Sequence, residues 1–93
     1  MKKQIWKFKV IPSGKNVDIE MPRGAEILSM HTQDEQPCIW ALVNPDAKIE
    51  TRRFEVYGTG HDIHYDMGVE RNFIGTCLIH GGLLVLHIFE RIN

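Results

Sequence analysis

The sequence lacks an excess of charge of either sign. Its 93 residues include 11 Lys and Arg against 12 Asp and Glu, which gives a formal net charge of −1. A nucleic-acid-binding domain of this size usually carries a clear basic excess, so we expect no long nucleic acid as a partner. The chain also lacks a run of about 18 apolar residues, the length of a membrane-spanning helix. Residues 1–7 are not followed by the apolar segment of a signal peptide. We therefore expect no membrane partner and a cytoplasmic location, which is the host cytoplasm if the source is viral.

Cysteine is scarce, and its two copies, Cys38 and Cys77, both lie in apolar, strand-like runs. A secreted domain would bridge such a pair, whereas a cytoplasmic one keeps its thiols reduced. Free cysteine behaves in a protein interior as a small apolar residue. We therefore expect two buried free thiols.

What the sequence does contain is a succession of short segments in which apolar and polar residues alternate. In the first segment Trp6 and Phe8 alternate with Lys7 and Lys9, the period of a half-buried strand. The same pattern and the turn residues between segments predict seven strands, at 5–10, 17–21, 26–33, 38–43, 51–58, 72–79 and 83–89. The first two are expected to pair as a hairpin, and so are the last two, around the Gly-Gly turn at 80–82. The apolar run 38–43 predicts a central strand covered on both faces.

These segments predict an all-β fold: a small antiparallel sandwich or partly open barrel of about seven strands. The length predicts a single domain over residues 1–93. Residues 58–71 show no clean period, and a patternless segment of this length in a compact domain is often functional. Open edges on a small sheet invite pairing, so we also expect a homo-oligomer.

The densest group of small, hydroxyl-bearing and titratable residues lies at 57–62, which reads Tyr-Gly-Thr-Gly-His-Asp. Gly58 and Gly60 allow left-handed backbone angles and the close approach of another surface. The backbone N–H groups of such a turn can hold an anion, and Thr59 adds a hydroxyl. The alternative is a tight turn in which Thr59 and His61 satisfy local backbone groups. The stretch has neither the spacing of a Walker motif nor that of a dinucleotide fingerprint.

Other side chains extend this candidate site. Four arginines are available as forked donors that match phosphate oxygens, Arg23, Arg52, Arg53 and Arg71. Five aromatic residues are candidates for stacking on a nucleobase, Trp6, Trp40, Tyr57, Tyr65 and Phe73. Core packing is the alternative for the aromatics, above all for Trp6, Phe8, Phe54 and Phe89. Tyr57 immediately precedes the irregular segment 58–71 and Tyr65 lies within it, so these two are the better ligand candidates.

A metal site or a catalytic site has weaker support in the sequence. His61 and His64 with Asp62 and Asp66 could hold a metal, but the spacing is loose, and no HExxH motif or cysteine pair accompanies it. His61 with Asp62, Asp66 or Glu70 could act as a general acid–base pair, yet no residue completes such a site. We therefore expect no metal, no cofactor and no enzymatic activity.

Five stretches of the sequence together resemble a family of small phage and prophage proteins of this length, whose members carry a "domain of unknown function" label. They are 21–29, 40–45, 58–61, 74–76 and 87–90, which read MPRGAEILS, WALVNP, GTGH, IGT and HIFE. The resemblance covers nearly the whole chain. It implies a phage-type accessory protein, and such proteins often act against host defence.

One class of phage accessory protein resembles a sponge, because it binds a cyclic-nucleotide or ADP-ribose-type immune signal without cleaving it. On this hypothesis Arg52 and Arg23 hold phosphate together with the amides of the glycine turn, and His61 contacts phosphate or ribose. Tyr57 or Trp40 stacks on the base. The expected ligand-binding residues are thus Arg52, Tyr57, Gly58, Thr59, Gly60, His61, Arg23 and Trp40. Two alternatives are a protein-binding inhibitor or virion accessory module, using a sheet edge or the hairpin at 72–90, and a hydrolase that depends on His61.

Overall fold

A computed structural model describes residues 2–12, 14–65 and 68–93. It contains seven β-strands: β1 (Gln4–Lys9), β2 (Asn16–Pro22), β3 (Glu26–Gln33), β4 (Gln36–Val43), β5 (Ile49–Gly58), β6 (Arg71–Ile79) and β7 (Leu84–Arg91). A single 3-10 turn, His80–Gly82, joins β6 to β7, and the described residues include no α-helix. The all-β prediction is confirmed, and β3 has the predicted limits.

The strands form two antiparallel sheets, neither of which closes into a barrel. One sheet has the order β1-β4-β3 and the other the order β2-β5-β7-β6. The edge strands β3 and β6 lie side by side: the Thr32 hydroxyl donates to the Leu78 carbonyl at 2.8 Å, and Gly75 lies against Met30. The sheets are therefore joined along one side, and β1 and β2 form their two outer edges on the other.

The predicted hairpin between the first two strands is wrong. β1 pairs with β4, and β2 pairs with β5 in the other sheet. The chain therefore passes from one sheet to the other between the end of β1 and the start of β2. Alternation identifies a strand with one buried face, but it does not specify the neighbouring strand, because every such strand has the same pattern. The predicted hairpin of β6 and β7 is confirmed.

The core lies between the sheets and consists of the inward-facing residues of both. Its fully buried side chains include Val10, Met21, Ile39, Val43, Phe54 and Ile88. β4 is central to its sheet, as predicted, but only one of its faces is fully covered, since Trp40 and Leu42 on the other are half-buried. Cys38 and Cys77 are both buried and unbridged, which confirms the prediction for the thiols.

The two ends of the core differ in chemistry. On β5 the inward-facing residues run from Arg52 through Phe54 and Val56 to Gly58, and the first and last are about 20 Å apart along an extended strand. Glu90 of β7 is the register partner of Phe54, so it faces the same side as Arg52. One end of the core is closed by charged groups and the other by apolar residues beside the glycine turn.

Candidate functional site

A cavity of about 390 Å³ lies at the apolar end of the sandwich. Its wall consists of aliphatic side chains from the ends of three strands of one sheet, Val56, Ile79, Leu84 and Leu86. Gly58 borders the cavity, and Lys15 and His61 lie at its rim. The predicted glycine turn therefore does lie beside a hollow, but the hollow is lined mainly by apolar groups and includes no arginine.

The glycine turn is closed by its own hydrogen bonds. The backbone N–H of His61 donates to the carbonyl of Gly58 at 3.1 Å, and the N–H of Gly58 donates to Nδ1 of His61 at 3.1 Å. Gly60 adopts a φ of 89°, which confirms the left-handed angle expected there, whereas Gly58 has no positive φ. Two amides of the turn are thus engaged internally, and an anion would meet those of Thr59 and Gly60.

The hydroxyl of Thr59 points away from the cavity, to a histidine on the outer face of the four-stranded sheet. Its Oγ1 lies 2.7 Å from Nε2 of His87, and Nδ1 of His87 lies 2.9 Å from Oγ1 of Thr76. The imidazole therefore links the glycine turn to β6 and β7. Sequence reasoning assigned His87 no role, although it alternates with the inward-facing Leu86 and Ile88.

Arg52 lies at the opposite end of the core and is engaged there. Its Nε and Nη2 donate to the two carboxylate oxygens of Glu90 at 2.6 and 2.8 Å, and its Nη1 donates to the Ala25 carbonyl at 2.6 Å. The hydrogen bond to Glu90 raises the pKa of Arg52, against the opposing effect of burial. Arg52 borders a separate groove of about 550 Å³ in which basic and acidic side chains, including Arg53 and Glu50, are mixed.

A second ion pair fastens the irregular segment to the outer face of the four-stranded sheet. Arg71 donates to the carboxylate of Glu55, which is 4% exposed, and to the carbonyl of His64 at 2.9 Å. The Tyr65 ring lies 5.1 Å from the Arg71 guanidinium carbon. Burial acts to raise the pKa of Glu55, but the hydrogen bond and charge of Arg71, together with the Tyr57 hydroxyl and the charge of Arg91, outweigh it, so the pKa is lowered. Arg71 is thus engaged within the fold.

The aromatic candidates and Arg23 lie in other places. Tyr57 is 5% exposed, with its ring edge-on to Phe89 at 6.0 Å, and burial raises the pKa of its hydroxyl. Trp40 lies on the outer face of the three-stranded sheet, 6.2 Å from the His31 ring. Arg23 is exposed in the turn between β2 and β3. Of the eight predicted ligand-binding residues, therefore, only Gly58 and His61 line the cavity within one chain, with Thr59 and Gly60 in the turn between them.

The residues proposed for a metal site do not assemble in the part of the chain that the structure describes. No three His, Cys, Asp or Glu side chains among residues 2–12, 14–65 and 68–93 are grouped closely enough to hold an ion. Asp66, one of the four candidates, lies outside these residues. The same ranges include no helix long and apolar enough to cross a membrane.

The chain belongs to the family described as "Domain of unknown function (DUF7352)", whose profile matches residues 1–93. No curated protein and no solved structure is significantly similar to it. The match covers the whole chain, including the glycine turn and the strands that line the cavity.

Proposed function

We propose that this member of the DUF7352 family binds a small anionic ligand of the signalling-nucleotide type and holds it without cleaving it. The proposed site is the cavity at the apolar end of the sandwich, with the Gly58–His61 turn at its rim. The single observation that supports this proposal is the coincidence of that turn, singled out by sequence, with an apolar hollow of about 390 Å³.

The size and lining of the cavity suit the planar part of such a ligand. Small-molecule sites are typically hollows of about 300–1,000 Å³ with mostly apolar walls and a few polar groups that orient the ligand, often at the mouth of a β-structure. Here the aliphatic side chains of Val56, Leu84 and Leu86 offer flat contact for a ring. A nucleobase in this cavity would lie with one face against this aliphatic wall and would be removed from water on that side.

The polar groups at the rim suit a negatively charged substituent. Lys15 supplies an ammonium group, and the amides of Thr59 and Gly60 lie in the same turn as His61. The proposed ligand set therefore keeps the glycine turn and His61. It replaces Arg52, Tyr57, Arg23 and Trp40 with Lys15 and the aliphatic wall, because those four side chains lie elsewhere in the chain.

The finer part of the proposal concerns biological context. The five sequence stretches noted above resemble small phage and prophage proteins, and such proteins often act against host defence. We extend the proposal to an anti-defence role in which a cyclic oligonucleotide or ADP-ribose-type signal is sequestered. Tight sequestration needs preorganised contacts, and a rigid sheet scaffold supplies them.

The test is a thermal-shift screen against cyclic dinucleotides and ADP-ribose derivatives, followed by mass spectrometry of the ligand released by heating. Intact ligand supports sequestration, and converted ligand would replace the proposal with an enzymatic function. If no ligand of either class raises the melting temperature, the proposed function is wrong.

Two substitutions locate the site once a ligand is found. Leu84→Glu places a carboxylate in the cavity wall and should abolish binding, whereas Leu83→Glu, at a neighbouring side chain that is 90% exposed, should not. Lys15→Ala should weaken binding about tenfold or more, since a hydrogen bond to a charged group contributes about 1.5–3 kcal/mol. Lys48→Ala, at an exposed lysine outside the cavity lining, is the matched control.

A protein-binding module is the second candidate, and the tip of the β6–β7 hairpin favours it. Leu83 is 90% exposed and Leu78 is 55% exposed, and apolar side chains gathered on a hairpin suit a protein partner. Affinity capture with the wild type and with Leu83→Glu tests this candidate. A stoichiometric partner that the variant loses would support it, and equal capture by both would exclude this surface.

A further inference from the structure

The outer edges of the two sheets, β1 and β2, each have one strand partner. Among residues 2–12, 14–65 and 68–93, β1 pairs with β4 and β2 pairs with β5, and neither has a strand on its other side. The two edges have similar lengths of six and seven residues. Unpaired edges of this kind present rows of N–H and C=O groups that another chain can use.

The hydrogen bonds next to each strand show which residues direct their backbone groups to the open side. The N–H of Val10 donates to the carbonyl of Pro37 in β4. The N–H and C=O groups of one residue in an antiparallel strand point to the same side. The even-numbered residues of β1 therefore direct their backbone groups to β4. The backbone groups directed to the open edge of β1 are therefore those of Ile5, Lys7 and Lys9.

The same reasoning applies to β2. The Lys15 carbonyl accepts from the N–H of Val56, and the Arg23 N–H donates to the carbonyl of Lys48. The odd-numbered residues of β2 therefore direct their backbone groups to β5. The residues that direct backbone groups to the open edge are therefore Asn16, Asp18 and Glu20, together with the carbonyl of Pro22. Proline at this position is compatible with an open edge, since it has no N–H to offer a neighbour.

The side chains of these outward-directed residues have opposite charges on the two edges. Lys7 and Lys9 on β1 and Asp18 and Glu20 on β2 are all exposed. An antiparallel register that places Lys7 opposite Glu20 also places Lys9 opposite Asp18. In that register the outward-facing backbone groups meet as hydrogen-bonded pairs, and Phe8 and Trp6 meet Ile19 and Met21 on the inner face.

The same charges disfavour a contact between β1 strands of two copies, or between their β2 strands. An antiparallel β1–β1 contact between two copies would bring lysines directly opposite lysines, and a β2–β2 contact would bring Asp18 or Glu20 against like charges. Like charges directly opposite each other destabilise a sheet, and opposite charges stabilise it. The charge pattern therefore distinguishes the β1–β2 contact from both self-pairings.

We propose that β1 of one chain pairs with β2 of a second copy, antiparallel and with Lys7 opposite Glu20. The occupant of each edge is another molecule of the same protein. Two such contacts made reciprocally about a twofold axis give a closed dimer, and contacts made in one direction give a ring or a filament. Trp6 and Phe8, which are half-buried in the single chain, become covered. This interface does not depend on the function proposed for the cavity.

Charge reversal tests the interface by multi-angle light scattering or sedimentation velocity. The wild type is expected at twice the monomer mass or more. Lys7→Glu with Lys9→Glu makes both edges acidic, and Asp18→Lys with Glu20→Lys makes both basic, so each double variant is expected to be a monomer. An equimolar mixture of the two should regain the wild-type size, because each acidic edge then finds a basic one. Combining all four substitutions in one chain should restore self-assembly.

The control variant makes the same change in charge at two lysines that lie outside β1. Lys2→Glu with Lys3→Glu alters two exposed lysines that precede the strand, and it should leave the assembly size unchanged. Circular dichroism and melting curves show whether each variant is folded. A wild type that remains monomeric at all concentrations would overturn the proposal, and so would folded charge-reversed variants that keep the wild-type size, or a mixture that stays monomeric.

Discussion

The imidazole of His61 lies directly over the α-carbon of Gly58. A Cβ atom added to Gly58 would be 2.9 Å from Cε1 of His61 and 3.1 Å from its Nδ1. Glycine at position 58 is therefore explained by the ring above it, and not by a left-handed backbone. The ring in turn accepts a hydrogen bond from the Gly58 N–H. Each residue therefore fixes the position of the other beside the cavity.

This relationship predicts that the effect of Gly58→Ala depends on His61. In the wild type the substitution displaces the ring and breaks its hydrogen bond, which lowers the free energy of unfolding by about 1 kcal/mol. In a His61→Ala background it should be neutral or stabilising, because alanine reduces the freedom of the unfolded chain. Urea denaturation of the four proteins in this cycle measures the difference. Equal losses in both backgrounds would contradict the packing described here.

Arg52 is predicted to act as a structural residue. Arg52→Ala leaves Glu90, whose side chain is 11% exposed, without its partner, and removing one member of a largely buried ion pair costs about 3 kcal/mol. The melting temperature should therefore fall clearly. Arg53→Ala, which removes a neighbouring but exposed pair with Asp18, is the control and should change the melting temperature little. A similar melting temperature for both variants would show that the Glu90 pair does not stabilise the core end.

The Glu55–Arg71 pair predicts a loss of stability in acid. The pKa of Glu55 is lower in the folded chain than its unfolded value of about 4.3. The corresponding stability is present above the unfolded pKa and is lost as pH falls through the folded pKa. Urea midpoints measured from neutral pH down to about pH 3 should therefore decrease less steeply in Glu55→Gln than in the wild type. Glu26→Gln, at an exposed carboxylate, should retain the wild-type profile.

The two thiols are predicted to be unreactive in the folded protein. Cys38 is 1% exposed and Cys77 is 4% exposed, and burial raises the pKa of Cys77, so little reactive thiolate is present. Ellman's reagent should modify neither residue under native conditions and both in guanidinium chloride. Fast modification of one thiol in the native state would indicate that its side of the core opens readily.

Local sequence pattern was sufficient to predict the strands. The limits of β3, the β6–β7 hairpin and the burial of Cys38 and Cys77 all follow from alternation and turn composition, which depend on residues close together in the chain. The glycine turn was predicted for the same reason, since Gly60 supplies a backbone angle that most residues avoid. Each of these features is specified within a short segment.

Strand pairing and the environment of each charged side chain depended on distant contacts. β1 could pair with β2 in a hairpin or with β4. The alternation of Trp6 and Phe8 with lysines is the same in both cases. Arg52 was available for phosphate until the fold brought Glu90, 38 residues away, to its guanidinium group. The apolar hollow beside Gly58 likewise arises where the ends of three strands meet. These properties come from the packing of two sheets, because no short segment contains both partners of the contacts that create them.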